Sequence, residues 1–319
     1  MNKTNIGWCA VPGYVPCTEQ LVAGCTPVSP ACDHCYAAAG AWRMANNPNE
    51  AIASRYRGLV TRQGWTGEVR LLEDVLLEYE DQARHVAADH ILGRKARRKP
   101  RCIFWCSMGD LFHEAVPAAF IRRAYRVFAL LADDIHIVCT KRPDRIVPAL
   151  YGEGDETLPA QEGQALPNVW HLTTVENQEQ AERRVPELLA LREHGPWPVL
   201  GVSCEPLLGR VDLSAIRAMR RCPQNAAAGH GIRTLCPCRS VDMGTCKDSR
   251  PECGLDWVIL GGETGSQARE MDPTWLLHML RDCRRAGVPC YLKQLGDAWR
   301  LQDRNAVRPD EHRAWPVIC

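Results

Sequence analysis

Two hydrophobic rhythms alternate along the chain. Short apolar runs of strand length are separated by longer stretches in which apolar residues recur every three or four positions. The runs predict strands at Thr4–Trp8, Gly67–Leu71, Arg101–Cys106, Ile135–Cys139, Asn168–Thr173, Pro198–Val202, Asp256–Leu260 and Pro289–Leu292. The longer periodicity predicts helices at Leu72–Leu92, Ala118–Leu131, Gln178–Glu193 and Pro273–Ala286, and another beginning at Tyr36. Pro117 and Pro273 stand where a first helical turn accepts proline, and Gly287 stands where a helix stops. Alternating strands and helices imply a parallel sheet, and about eight such units predict an α/β fold. The expected form is a β/α (TIM-like) barrel, complete or near-complete, built as one domain over residues 1–319. A doubly wound open sheet is the alternative.

Polar residues gather where these strands end. Ser107 and Asp110 follow the third, and Thr140, Lys141 and Arg142 the fourth. Glu176 and Asn177 follow the fifth, Ser203 and Glu205 the sixth, Gly261–Glu263 the seventh, and Lys293 and Gln294 the eighth. Barrel enzymes build their sites from the C-terminal ends of parallel strands, so the repeated pattern predicts an active-site mouth. Any one cluster taken alone also suits a helix N-cap.

The run GCTPVSPACDHCYA puts Cys25, Cys32 and Cys35 on one turn-rich loop before the Tyr36 helix, at the same predicted mouth. Three thiolates can hold three corners of a [4Fe-4S] cluster and leave the fourth iron open to a substrate or cofactor. A zinc knuckle completed by His34 or a distant residue satisfies the same spacing.

Composition narrows the setting. An apolar fraction of 45% with 24% charged residues is that of a soluble globular chain, and no apolar run is long enough to span a bilayer. The start, MNKTNIGWCAVPG, has no secretory apolar segment, which predicts a cytoplasmic protein. In a reducing compartment, seventeen cysteines suggest metal ligands together with packed thiols, and Cys102, Cys106 and Cys139 lie on apolar strands. Cys9 and Cys17 are further candidate ligands near the first cluster. The net charge of +1 leaves attraction to nucleic acid to local patches.

On these residues the chain resembles the radical S-adenosylmethionine (SAM) superfamily, specifically a phage-associated three-cysteine family long catalogued as phage proteins of unknown function. The resemblance is carried by the cysteine run, SMGDLFHEAVP (Ser107–Pro117), TKRPDRI (Thr140–Ile146) and LPNVWHLTTVENQEQAERRVP (Leu166–Pro186). SCEPLLGRVDL (Ser203–Leu213), DWVILGGETG (Asp256–Gly265) and AGVPCYLKQLG (Ala286–Gly296) complete it. Six residues separate Cys25 from Cys32, where the superfamily commonly has three, and Gly-Gly-Glu stands at Gly261–Glu263 instead of after the second strand.

The resemblance implies a [4Fe-4S] cluster on Cys25, Cys32 and Cys35 whose open iron chelates SAM. One-electron cleavage then gives a 5′-deoxyadenosyl radical that takes hydrogen from an unactivated carbon. It implies an electron donor such as flavodoxin or ferredoxin, and a host-cytoplasmic location if the protein is phage-encoded. Ser107, Asp110, Thr140, Glu176, Asn177, Ser203 and Glu205 become candidates for holding SAM, and Lys141, Glu205 and Lys293 for catalysis. The phage setting suggests a DNA substrate, an amino-acid-modified thymine rearranged by an isomerase or mutase step after flipping into the mouth.

Two further features bear on partners. Cys222, Cys236, Cys238, Cys246 and Cys253, with His230, lie in a polar segment that interrupts the strand–helix rhythm. Residues 222–254 therefore read as a metal-binding insertion after the sixth unit, holding zinc or an auxiliary iron–sulfur cluster. The basic run Gly93–Arg101 suggests a phosphate-binding patch, with Arg281, Arg284 and Arg285 adding charge. Trp42, Trp65, Trp105, Trp170 and Trp299 are candidate stacking faces. The rival functions are a zinc-binding, nucleic-acid-binding protein on an idle barrel scaffold and a zinc hydrolase using the mouth carboxylates. The hydrolase lacks the histidine-rich ligand set such sites use.

Overall fold

A computed structural model describes residues 2–94, 98–152, 166–195, 197–214, 254–298 and 308–316. The chain divides into two compact units, 1–169 and 170–319.

In the first unit, strand β1 (Asn2–Lys3) pairs antiparallel with β2 (Val15–Glu19). Three short strands follow, β3 (Val22–Ala23), β4 (Val60–Thr61) and β5 (Gly64–Trp65), and then β6 (Arg70–Leu71). Strand β3 pairs with β6 and β4 with β5, in two small antiparallel ladders. The main ladder continues from β2 to β7 (Arg101–Trp105) and β8 (Ile135–Thr140), all parallel. The helices are α1 (Tyr36–Ala45), α2 (Glu50–Tyr56), α3 (Glu73–Ile91), α4 (Ala118–Leu130) and α5 (Ile146–Tyr151).

The second unit takes up strand β9 (Val169–Thr174) at its second residue. Parallel pairing then runs in chain order through β10 (Val199–Cys204), β11 (Trp257–Gly261) and β12 (Cys290–Gln294). Helix α6 (Gln178–Leu189) follows β9, and α7 (Pro273–Ala286) precedes β12. Within each unit the strands lie in chain order, without the reversal that marks a doubly wound sheet, so the winding is barrel-like.

Two expected strands are corrected. Thr4–Trp8 is not a strand; a short 3-10 turn forms at Gly7–Cys9, and Val15–Glu19 takes the parallel position. Gly67–Leu71 supplies only Arg70–Leu71, to a two-stranded antiparallel ladder. The described residues hold seven parallel strands, not the eight of a complete barrel. The six remaining strands lie where the apolar runs put them. Helix α7 starts at Pro273 behind an N-cap in which Asp272 Oδ1 accepts from Thr274 N at 2.7 Å, and it ends at Gly287 in the left-handed region. The cysteine-rich segment 222–254 lies outside the described residues except for Gly254. No helix among the described residues is long and apolar enough to cross a membrane.

All five residues of β7 are buried, and their aromatic contacts organise the first core. Trp105 packs on Tyr79 of α3 and Phe128 of α4, with centroids 4.9 and 5.0 Å apart, and Phe128 stacks on His136 of β8 at 4.5 Å. Trp170 is likewise core, so neither Trp105 nor Trp170 offers a stacking face to a base. Trp299 lies outside the described residues, and Trp42 is exposed.

His136 is neutral by construction, since Trp105 Nε1 donates to its Nδ1 at 3.0 Å and its Nε2 lies 3.3 Å from the Leu131 carbonyl oxygen. Burial pushes it down to about 4, and burial likewise pushes His171 of β9 down to about 3. The unfolded chain binds protons at both positions from about pH 6.5 downward while the folded chain does not. Their contribution is thus complete above pH 6.5 and drains away as pH falls toward 4. Stability to urea should fall by about 2 kcal/mol for each histidine between pH 7 and pH 5. A flat profile over that interval would contradict the neutral assignment.

Candidate functional site

In the first unit the C-terminal ends of β2, β7 and β8 meet the cysteine loop. Close backbone approach is what allows this. Gly24, at φ +93°, forms a parallel bridge with Gly109, and a Cβ on Gly109 would sit 2.5 Å from the Val22 carbonyl oxygen. A Cβ on Gly24 would sit 2.2 Å from the Glu68 carbonyl oxygen. Cys25 follows Gly24 directly, Cys32 ends a 3-10 turn (Pro30–Cys32), and Cys35 is the N-cap of α1. All three thiols are half-buried. Tyr36 reaches across from α1 to donate to the Ser107 carbonyl at 3.1 Å, and Gln20 donates to Ser107 Oγ at 2.8 Å.

The charged network behind this loop centres on Arg142. Its Nε donates to Glu114 at 2.8 Å and its Nη2 to the Thr26 carbonyl at 3.1 Å. Nη1 reaches Asp110 Oδ2 at 3.1 Å and Cys25 Sγ at 3.9 Å. Asp110 also accepts from Thr140 Oγ1 at 2.7 Å, from Phe112 N at 3.0 Å and from Lys141 N at 3.4 Å. His113, another neighbour, lies 2.8 Å from Thr26 Oγ1 through Nε2. Burial, with the Asp110 carboxylate second, pushes the Cys25 thiol up to about 12 against the pull of Arg142. A metal must therefore displace a proton there to bind.

The second unit carries its own strand-end cluster. Lys293 Nζ lies 2.9 Å from Glu205 Oε1, and Ser203 Oγ is 3.4 Å from Glu205 Oε2. Gly261 borders this pair, since a Cβ there would lie 3.0 Å from Glu205 Oε1 and 3.2 Å from Gln294 Nε2. Glu176 is fully buried and accepts from Arg184 at 2.9 Å, and Asn177 caps α6 by accepting from Gln180 N at 3.0 Å. Glu263 of the Gly-Gly-Glu run is held by three donors of Arg269.

The candidates therefore fall into two sets. Cys25, Cys32, Cys35, Ser107, Asp110, Thr140 and Lys141 gather in the first unit; Glu176, Asn177, Ser203, Glu205 and Lys293 belong to the second. Cys222, Cys236, Cys238, Cys246 and Cys253 lie outside the described residues, as does His230. Cys9 and Cys17, candidate ligands by sequence, are buried core thiols. Sequence pattern alone does not mark Arg142, Glu114 and His113 as ligand-holding residues. The two adjacent cations in TKRPDRI were the available signal, and only the folded chain separates them: Arg142 is buried and Lys141 half-buried.

Part of the basic run turns inward. Arg98 grips Asp134 through both guanidinium ends, at 2.6 and 2.7 Å, and Arg101 donates to the same carboxylate. Arg94 pairs with Asp89. Arg98 and Arg101 are thus engaged by an internal carboxylate, while Lys99 is exposed and Lys95 and Arg97 lie outside the described residues.

Among the described residues, no three His, Cys, Asp or Glu side chains gather as ligands of a single metal ion. The donor set nevertheless suits an iron–sulfur group: three soft thiols on one loop, one of them beside a guanidinium. Ser29 Oγ, between Cys25 and Cys32, is buried with no hydrogen-bond partner among the described residues, leaving a donor for a group seated on the loop.

Strand order and strand-end residues define a barrel-like parallel α/β protein. The family model described as "Protein of unknown function (DUF5131)" matches residues 3–315, and the chain belongs to that family. No curated protein and no solved structure showed significant similarity to it.

Proposed function

We propose that the chain is a radical SAM enzyme whose [4Fe-4S] cluster is held by Cys25, Cys32 and Cys35. The observation that carries the reading is the loop: three half-buried thiols on one short segment, the first of which, Cys25, follows the Gly24–Gly109 bridge at the strand ends of the first unit. When bound, such a cluster supplies an open iron for the amino and carboxylate groups of SAM and one electron for its cleavage. Thr140 fixes Asp110, which holds the cation that faces Cys25, and Ser107 links Gln20, just past β2, to Tyr36 of α1. Lys141, next to Arg142, is the half-buried cation in this reading for a substrate or SAM carboxylate. Glu205 and Lys293 supply a charged pair in the second unit, suited to a proton-handling role. Glu176 is committed to Arg184, so SAM binding falls to the other candidates.

The proposed substrate is an amino-acid-bearing thymine in DNA, rearranged by an isomerase-type reaction. Arg98 and Arg101 already pair with Asp134, so neither is assigned to its recognition in this reading. A second metal group on residues 222–254, zinc or an auxiliary cluster, remains part of the proposal, as does a flavodoxin or ferredoxin as electron donor.

Anaerobic reconstitution with iron and sulfide tests the reading. A brown protein with about four irons per first cluster, releasing 5′-deoxyadenosine from SAM under reducing conditions, is the expected result. Protein that binds zinc but never iron would establish the zinc-binding alternative instead.

A further inference from the structure

We infer that Arg142 is the positioning residue that sets both the hold and the reduction potential of the group seated on Cys25. The inference rests on the proposed cluster and concerns a residue outside its ligand set. Arg142 is buried, and its fork makes contacts in three directions: to two carboxylates, Asp110 and Glu114; to the Thr26 carbonyl; and to the Cys25 sulfur.

A structural ion pair needs one carboxylate and points its guanidinium at it. Here Nε is taken by Glu114, Nη1 is shared between Asp110 and the Cys25 sulfur, and Nη2 faces the Thr26 carbonyl, so the two amino groups reach two successive residues of the cysteine loop. Asp110 is itself fixed by Thr140 Oγ1 and the Phe112 and Lys141 amides, so the fork is aimed before anything binds. A donor on a ligating sulfur withdraws electron density and favours the reduced cluster, and such outer contacts also strengthen metal binding. Lysine can reproduce only part of the effect, because an ammonium on a flexible stem keeps the charge but cannot span the same partners.

The test is an EPR-monitored redox titration of anaerobically reconstituted protein, with iron per chain measured alongside. Arg142→Gln should load cluster about tenfold more weakly. The clusters that do load should favour the oxidised form about tenfold, a midpoint lowered by about 59 mV for one electron. Arg142→Lys should fall between wild type and Arg142→Gln. Glu114 is exposed and bonds Arg142 at its edge, so Glu114→Gln should fold normally and shift the midpoint upward, because less of the guanidinium charge is neutralised. If Arg142→Gln takes up no cluster, the Glu114→Gln midpoint decides. Wild-type protein without an iron–sulfur cluster would overturn the functional reading itself. A clustered wild type whose midpoint is shared by every loadable variant would overturn the role of Arg142 alone, leaving it a structural clamp.

Discussion

Cys32→Ala should lose the iron–sulfur absorbance and all SAM-dependent 5′-deoxyadenosine release while keeping its fold. Cys32 closes a single 3-10 turn on a surface loop, outside every sheet of the first unit. The backbone bond that shapes the turn, Cys32 N to the Ser29 carbonyl at 2.8 Å, survives the substitution. Loss of a half-buried sulfur from such a place changes stability by no more than about 0.5 kcal/mol. Loss of one ligand in three leaves two thiolates, too few for the site-differentiated cluster the reaction needs. Circular dichroism and urea midpoints matching the wild type, beside an iron content near zero, are the paired readouts. A variant that still binds iron and cleaves SAM would refute the assigned ligand set, and one that unfolds outright would mark the metal as structural.

Asp134→Asn should produce the largest loss of stability in the first unit, about 3–5 kcal/mol by urea denaturation. The carboxylate is completely buried and accepts from Arg98 Nη1 and Nη2 and from the backbone amide and Nε of Arg101. Asparagine keeps the shape and removes the charge, leaving two guanidinium groups, one of them buried, without a counter-ion. Burial opposes ionisation of Asp134, yet the hydrogen bonds from Arg98 and Arg101 hold its carboxyl below the ordinary value. Its contribution is therefore complete above about pH 4 and is lost as pH falls through the lowered value, so the gap between wild type and variant should close in strong acid. A cost under about 1 kcal/mol at neutral pH would contradict the geometry. The same arrangement separates stability from DNA binding: Arg98→Ala should destabilise the fold, and any weakened DNA affinity should track that loss.

The rhythm of apolar residues was enough to locate six of the parallel strands and the long helices. Fully buried parallel strands are continuously apolar, as in RCIFW of β7, while α4 repeats Phe120, Ile121, Ala124, Tyr125 and Phe128 on one face. The edge of the sheet was less legible. VPCTE of β2 contains a proline and polar residues, and its pairing with Arg101–Trp105 is settled by contacts remote in sequence. Gly67–Leu71 has a strand-like composition, yet only two of its residues pair.

The sequence by itself determined the three-cysteine loop, the alternating strand–helix order and the polar residues that end the strands, because these depend on spacing and local periodicity. Only the tertiary structure decided which charges are spent inside the protein and which face the loop. Arg98, Arg101, Glu176 and Glu263 look as available in the chain as Lys141 or Glu205, but each is neutralised by a partner between 6 and 36 residues away. Arg142 gained its place beside Cys25, 117 positions distant, for the same physical reason: a charge leaves water only where folding has already assembled its partners.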